Sequence, residues 1–466
     1  MSIREALLIG MVVILAAIAL VRPKIGLLAY IWYGLMRPDV LAWVEDERNI
    51  HSLILFIATA AGSLRYLPRV TALFQAPFNW LVILLQIPLG MSVLFAFQPE
   101  LCYVRYNMYI KMILALLLIP ILIETVEDMR NLVLVFAFSL GFVGMKYGIY
   151  GVIHGGVELA RGYGPMLADN NFVALALAMV IPFAWYAFQL APYPYRLLGL
   201  VIAGASISGI VMTNSRGGSL AMGLGLLYIA LRSKHKIAVL AIVVACLAGS
   251  VYLVQDMYIE RMSTLTEYEE ESSAMSRIHH LRAALQMWKD YPILGVGFGG
   301  TNYAVLSRNY SQDVTGRHVV HNSYAQMLVD SGLIAFLLYT GALFLSIWWA
   351  GRSAKRLRAL KSPYEVIPRA IQSALLVFAL GSAFYSCQRM DLPYMLILMT
   401  GAWYPIEKQL VAAQLARVAT PGFSQFPVSA APAETAPAAG PSLGLADTAM
   451  PKQFARFRDL RTLGRP

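Results

Sequence analysis

What most limits how this chain can fold is the repeated occurrence of long stretches without a charged side chain. Such apolar runs lie at 70–99, 170–195, 197–215, 217–231, 237–255, 331–351, 370–388 and 392–406. Weaker ones lie at 6–21, 25–36, 49–64, 112–123 and 131–153, the last holding Lys146. A spanning helix needs ~20 mostly apolar residues, because no backbone polar group can stay unpaired in hydrocarbon. The pattern predicts an all-α, polytopic membrane protein with twelve or thirteen transmembrane helices. Composition agrees: 58 % of the 466 residues are apolar and 14 % charged, against ~25 % charged in an ordinary soluble chain. A disordered chain and almost any single soluble domain are excluded. The three cysteines have no short spacing, which argues against a metal site and a disulfide framework.

The net charge of +11 would suggest nucleic acid in a soluble protein. Here it reads as the basic bias of cytoplasmic loops, with no nucleic-acid partner. Arg65 and Arg69, then Arg196, then Arg232 with Lys234 and Lys236, then Arg352 through Lys361 fall in every second gap. These gaps are predicted to be cytoplasmic. The alternate gaps at 37–50, 98–107, 154–169, 214–216, 256–321 and 387–391 then face the other side, and 45–47 and 267–271 make that side more acidic. Loop parity leaves the N-terminus open. Arg4 before an apolar run resembles a signal peptide, but no small-residue cleavage site precedes Arg22-Pro23-Lys24, so an uncleaved anchor is expected. Residues 411–450 are rich in Ala, Pro, Ser and Gly, and 411–466 reads as a disordered basic cytoplasmic tail. Its end sets Phe454, Phe457 and Leu460 among Lys452, Arg456, Arg458 and Arg461, which suits either an anionic lipid surface or solvent.

Polar motifs collect on the non-cytoplasmic side. They are Arg161-Gly-Tyr-Gly-Pro with Asp169-Asn170-Asn171, then Thr213 through Ser219, then Ser276-Arg277 through Arg282, and finally His321-Asn322-Ser323-Tyr324. Taken singly, Arg161 and Arg277 fit exposed loop charges as well as ligand contacts. Arg216 sits in a turn between two apolar runs, where an arginine is costly unless it faces a polar cavity. His321 heads an apolar run and fits either a helix cap or a general base, its ordinary pKa being ~6.5. His279-His280 have no acidic or cysteine partner at ligand spacing, which argues against metal. The glycines from Gly295 to Gly300 read as a turn, since no strand precedes them and no Lys-Ser/Thr follows.

Arginines with one histidine and no acidic metal site point to a particular chemistry. Guanidinium forks hold a diphosphate and stabilise it as a leaving group, while an imidazole takes the proton of an attacking hydroxyl. Glycosyl transfer from a lipid diphosphate needs these parts. A transporter of lipid-linked sugars would need ionisable residues at mid-bilayer, where Lys146 is the main one. A membrane protease would need Cys387, with Arg389 two residues on, to approach His321.

Ser215-Arg216-Gly217-Gly218, Ser276-Arg277, Asp290-Tyr291-Pro292-Ile293-Leu294-Gly295-Val296-Gly297, and His321-Asn322 near Asp330-Ser331-Gly332 resemble the O-antigen ligase superfamily. That superfamily also holds O-antigen polymerases and bacterial protein O-oligosaccharyltransferases. The resemblance runs from roughly 150 to 345. Trp32-Tyr33-Gly34-Leu35-Met36-Arg37-Pro38 and Leu41-Ala42-Trp43 resemble the N-terminal region of O-glycosylation ligases that accompany exosortase systems. Three regions follow: 1–125, a ligase-like membrane domain at 126–410 that includes the loop 256–321, and the tail 411–466.

The resemblance implies a GT-C-type inner-membrane enzyme with a periplasmic site. It would pass a glycan from undecaprenyl diphosphate to an acceptor hydroxyl on protein, polysaccharide or lipid, with no cofactor or metal. It makes His321 the general base and Arg216 and Arg277 the diphosphate ligands, with Arg161 and Arg282 as supplements and Ser215, Gly217 and Asn322 in support. A polymerase of the same superfamily uses the same parts. The family often has an acidic residue directly before the glycine that follows the histidine motif. Here Ser331 separates Asp330 from Gly332, which leaves the role of Asp330 open.

Overall fold

The computed structural model describes residues 2–44, 50–154, 167, 169–187, 189, 195–213, 215–232, 236–237, 240–241, 244–245, 267–311, 313–314 and 318–419. The acidic 45–47, Arg161, Asn214, Lys234, Cys246, most of the run 237–255 and the tail from 420 lie outside the described residues.

The described residues contain helices and no strand. They are α1 (Ile3–Val21), α2 (Pro23–Met36), α3 (Pro38–Leu41), α4 (Ile50–Ser63) with a 3-10 extension (Leu64–Phe74), α5 (Pro77–Leu94), α6 (Pro99–Leu116), α7 (Leu118–Leu122), α8 (Val126–Ile153), α9 (Asn170–Ala187), α10 (Tyr195–Met212), α11 (Arg216–Arg232), α12 (Glu267–Asp290), α13 (Thr301–Leu306), α14 (Ser323–Ala359), α15 (Val366–Gly381) and α16 (Asp391–Ala419). Six segments are long and apolar enough to cross a membrane: Ile3–Val21, Ile50–Phe74, Pro77–Leu94, Pro99–Leu122, Val126–Ile153 and Ser323–Ala359. Three shorter apolar helices, Asn170–Tyr186, Arg196–Met212 and Gly217–Arg232, stand with them. The remaining predicted runs fall on α2, α15 and α16, apart from 237–255. The chain is an all-α polytopic membrane protein.

Two expected loop boundaries differ. The gap 98–107 is helical, because Pro99 fits the first helical position and Glu100 complements the positive N-terminal end of α6. The last helix continues to Ala419, through the start of the segment whose composition reads as tail.

At one end of the bundle, short-range ion pairs and caps hold the turns. The Arg65 guanidinium donates to the Val21 carbonyl at 2.9 Å and to Gly62 O at 2.9 Å, pairing carbonyls that have no partner within their own helices. Lys24 meets Asp128 at 2.8 Å and Glu124 at 3.2 Å, and Arg69 also pairs with Glu124. The Arg4 guanidinium lies 4.5 Å over the Trp43 ring. The Arg4 end of α1 therefore lies beside the segment that follows α2, away from the Arg22-Pro23-Lys24 turn.

The opposite end is organised by a break in α14. Gly332 has φ 76° and ψ −177°, so the helix is interrupted there and nearby carbonyls lose their intrahelical partners. The 291–300 loop supplies replacements. Val296 N donates to Val329 O at 3.0 Å, Gly297 N to Asp330 O at 2.9 Å, and Leu333 N to Pro292 O at 2.9 Å. Ser92 Oγ on α5 also donates to Asp330 O, at 2.7 Å. The Asp330 carboxylate accepts from Gln326 Nε2 at 2.8 Å and Gly299 N at 3.3 Å. Gly295, Gly297, Gly299 and Gly300 all have positive φ, which lets the loop lie flat against the break. Asp330 is thus the tether of that turn.

Replacing Gly332 with alanine is expected to lower the thermal midpoint of the detergent-solubilised protein. The backbone there is nearly glycine-specific, a strain of about 1–3 kcal/mol for other residues, and a Cβ would overlap the Ile293 carbonyl. Gly204→Ala is the control, since a Cβ there meets nothing within 4 Å. Equal midpoints for the two variants would contradict this account of the break.

Candidate active site

The site is assembled from helix ends. At the head of α9, Asn171 N donates to Asp169 Oδ1 at 2.8 Å and Asn170 Nδ2 donates to Thr213 O at 2.9 Å. This fastens α9 to the turn between α10 and α11. Ser215 caps α11 by accepting from Gly218 N at 3.1 Å. Its hydroxyl donates to Asn171 Oδ1 at 2.9 Å and lies 2.6 Å from the Tyr385 hydroxyl. A serine has one proton to give, so with that proton on Asn171 the Tyr385 hydroxyl is the donor in the second contact. Gly217 makes the approach possible, because a Cβ there would overlap the Tyr385 hydroxyl.

The segment before α14 is stitched to 382–387. Asn322 caps α14, accepting from Tyr324 N and Ala325 N at 3.0 Å each, and its Nδ2 donates to Ala383 O at 3.1 Å. Ser323 N donates to Ser382 O at 2.7 Å, and Ser323 Oγ to Tyr385 O at 2.6 Å. Val320 N donates to Gln326 Oε1 at 2.8 Å. Between these anchors His321 adopts φ 58°, a left-handed conformation uncommon outside glycine.

From the long loop, α12 brings Arg277 and His280. His280 is buried, its Nδ1 lies 3.0 Å from the Tyr303 hydroxyl, and that hydroxyl donates to His280 O at 2.7 Å. The His280 and His318 rings lie 6.0 Å apart. Burial, and then the charges of Arg277, His280 and His318, push the His321 imidazole down to about 4, with Asp169 opposing. His321 is therefore neutral at pH 7, with a lone pair to accept a proton. Burial pushes the Tyr385 hydroxyl up, while Ser215 and Arg277 oppose the shift.

Ser215 and Gly217 meet the Tyr385 hydroxyl, the Tyr385 carbonyl holds Ser323 two residues after His321, and the Arg277 charge acts on both His321 and Tyr385. Arg282 is exposed and lies about 140° around α12 from Arg277. Arg216 begins α11, its side chain lying outside the described residues. The Asn322 side chain is engaged in capping and in the bond to Ala383. Tyr385 was not singled out by motif reading, since it sits inside an apolar run with no recognisable pattern around it. Cys387 is buried and hydrogen-bonded to Ser323, and burial pushes its thiol up to about 11. That is the reverse of the accessible thiolate a cysteine protease needs.

A polytopic helical bundle that gathers a guanidinium and a neutral imidazole at one end defines a membrane protein with a polar surface site. Residues 201–340 match the family model described as O-antigen ligase, and residues 3–191 match a family of unknown function (DUF5935). The first match supports an O-antigen ligase superfamily domain in that segment and, with it, glycosyl transfer of the ligase or polymerase type. No curated protein matches the chain. Ser215, Arg216, Gly217, Arg277, Arg282 and His321 fall within 201–340, whereas Arg161 and Tyr385 fall outside it. The two matched segments share one compact unit, 1–416.

Carbethoxylation of His321 by diethyl pyrocarbonate, followed by peptide mass spectrometry, reads its protonation directly. Because only the neutral ring reacts, the rate is expected to be flat from pH 7 to 5 and half-maximal near 4. A midpoint near 6.5 would show that the surroundings do not hold the imidazole down.

Proposed function

We propose that this protein transfers a glycan from undecaprenyl diphosphate to an acceptor hydroxyl at the periplasmic face of the bacterial inner membrane, without metal or cofactor. The observation that carries this reading is that the Arg277 charge acts on His321 while Tyr385 ties the His321 segment to the capped N-terminus of α11. The orientation follows from the basic gaps at Arg65, Arg69 and 352–361, which favour the cytoplasm. The acceptor is a hydroxyl on protein, polysaccharide or lipid.

In the reaction, the acceptor oxygen attacks the anomeric carbon and its proton passes to the His321 imidazole. The bond from that carbon to the diphosphate oxygen breaks, and the diphosphate leaves with the electron pair. Arg277 and Arg216, supplemented by Arg161, hold the leaving group, and the positive N-terminal end of α11 adds to them; Arg282, on another face of α12, is left out of this set. A base held near 4 is weak in the empty site. A bound diphosphate offsets the Arg277 charge that depresses His321, so the imidazole gains basicity when the donor is loaded.

The test uses protein in proteoliposomes with a synthetic undecaprenyl-diphosphate glycan. His321→Ala is expected to lose roughly 10²-fold or more in turnover, with donor binding nearly unchanged. Arg277→Lys and Arg216→Lys are expected to lose turnover severely, because lysine cannot form the bidentate fork. If His321→Ala keeps more than a few per cent of turnover, its role as base is wrong.

A further inference from the structure

A second pair of arginines stands at the same end of the bundle, outside the constellation around His321. Arg105 on α6 donates from Nη1 to Gly299 O at 3.1 Å and lies across Gly299, where a Cβ would come within 3.0 Å of Arg105 Cδ. Arg389 lies between α15 and α16, and its Nε is buried without a hydrogen-bond partner among the described residues. Gln388, the residue before Arg389, donates to Asp330 Oδ2 at 3.5 Å, and the same oxygen accepts from the N–H of Gly299, whose carbonyl holds Arg105, so both arginines adjoin one carboxylate. Burial, and then the charge of Arg105, push the Arg389 guanidinium down, with Asp330 opposing. Asp330 is the acid at hand, but its oxygens already accept from Gln326, Gly299 and, at 3.5 Å, Gln388. Two like charges, one with a buried donor unmet, form a costly arrangement that an incoming anion would relieve.

We propose that Arg105 and Arg389 form an anion subsite that binds a carboxylate or phosphate substituent of the acceptor glycan. The word acceptor rests on the transferase reading above; the anion site rests on the two arginines. Its position suits the role. Gly300 lies against Val319 and Gln326, and Gln326 holds Val320, the neighbour of His321. The subsite and the base thus share the 319–326 segment, while Arg277 approaches from α12. Neither arginine belongs to residues 201–340, and Arg105 comes from the segment matching a family of unknown function. That segment contributes acceptor selection. Arginine forks pair bidentately with planar oxyanions, which suits a uronic acid or a phosphorylated sugar.

The test measures binding of trigalacturonate and of maltotriose, as the charged and the neutral probe, to the full chain in phosphatidylcholine nanodiscs. Wild type is expected to bind trigalacturonate at least tenfold more tightly than maltotriose. Arg105→Gln and Arg389→Gln should each remove that preference, Arg105→Lys should retain part of it, and Arg277→Gln should leave it intact. If Arg389→Gln does not fold, Arg105→Gln at its half-exposed position carries the test. The proposal is overturned if wild type does not discriminate, if both glutamine variants bind as wild type, or if only Arg277→Gln abolishes binding. It is also overturned if phosphatidylglycerol in the disc competes the trisaccharide away, since the occupant is then a lipid headgroup. None of these readouts needs turnover, so a failure of the transferase assay remains distinguishable.

Discussion

The interruption of α14 at Gly332 is the constraint on which the site end of this molecule depends. A helix broken near a bilayer surface leaves carbonyls that hydrocarbon will not solvate. N–H groups of the 291–300 loop and the Ser92 hydroxyl donate to those carbonyls, and the Asp330 carboxylate accepts from Gly299 N of the same loop. The same pairing sets the segment before α14, because Gln326 reaches from Asp330 on one side to Val320 N on the other. His321 is the next residue. Its unusual backbone conformation is thereby held by hydrogen bonds that begin at the break rather than by any feature of the histidine itself.

Charge is distributed with a similar economy of partners. At the end assigned to the cytoplasm, arginines and lysines cap helices or meet carboxylates, as Arg65 does at Val21 and Lys24 at Asp128. At the other end, burial and then the Arg277 charge push the His321 imidazole down, and Arg105 and Arg389 adjoin the Asp330 carboxylate through Gly299 and Gln388. Guanidinium groups beside a neutral imidazole suit an anionic substrate. One cluster is the proposed seat of the donor diphosphate and the other that of an acidic acceptor.

Much of the helix order was legible in the sequence, because a spanning helix must be apolar along its length and the charge-free runs report that directly. Loop parity and motif order point to Arg161, Arg216, Arg277 and His321 on one face, of which Arg161 and the Arg216 side chain lie outside the described residues. Other features were not legible. Tyr385 is one apolar-run residue among many until Gly217 and Ser215 are seen against it. Asp330 looked like a displaced motif acid, and only the glycine loop packed on it explains its place. Arg105 was assigned to a loop because a helix whose first turns are polar looks like a gap to hydropathy.

The measurement that bears most directly on the central claim is product analysis of the wild-type protein in sealed proteoliposomes supplied with a synthetic undecaprenyl-diphosphate glycan and a hydroxyl acceptor. The account predicts that carrier diphosphate is released in step with glycan appearing on the acceptor, in the presence of a metal chelator. Movement of the intact lipid-linked glycan across the bilayer with no diphosphate released would contradict it.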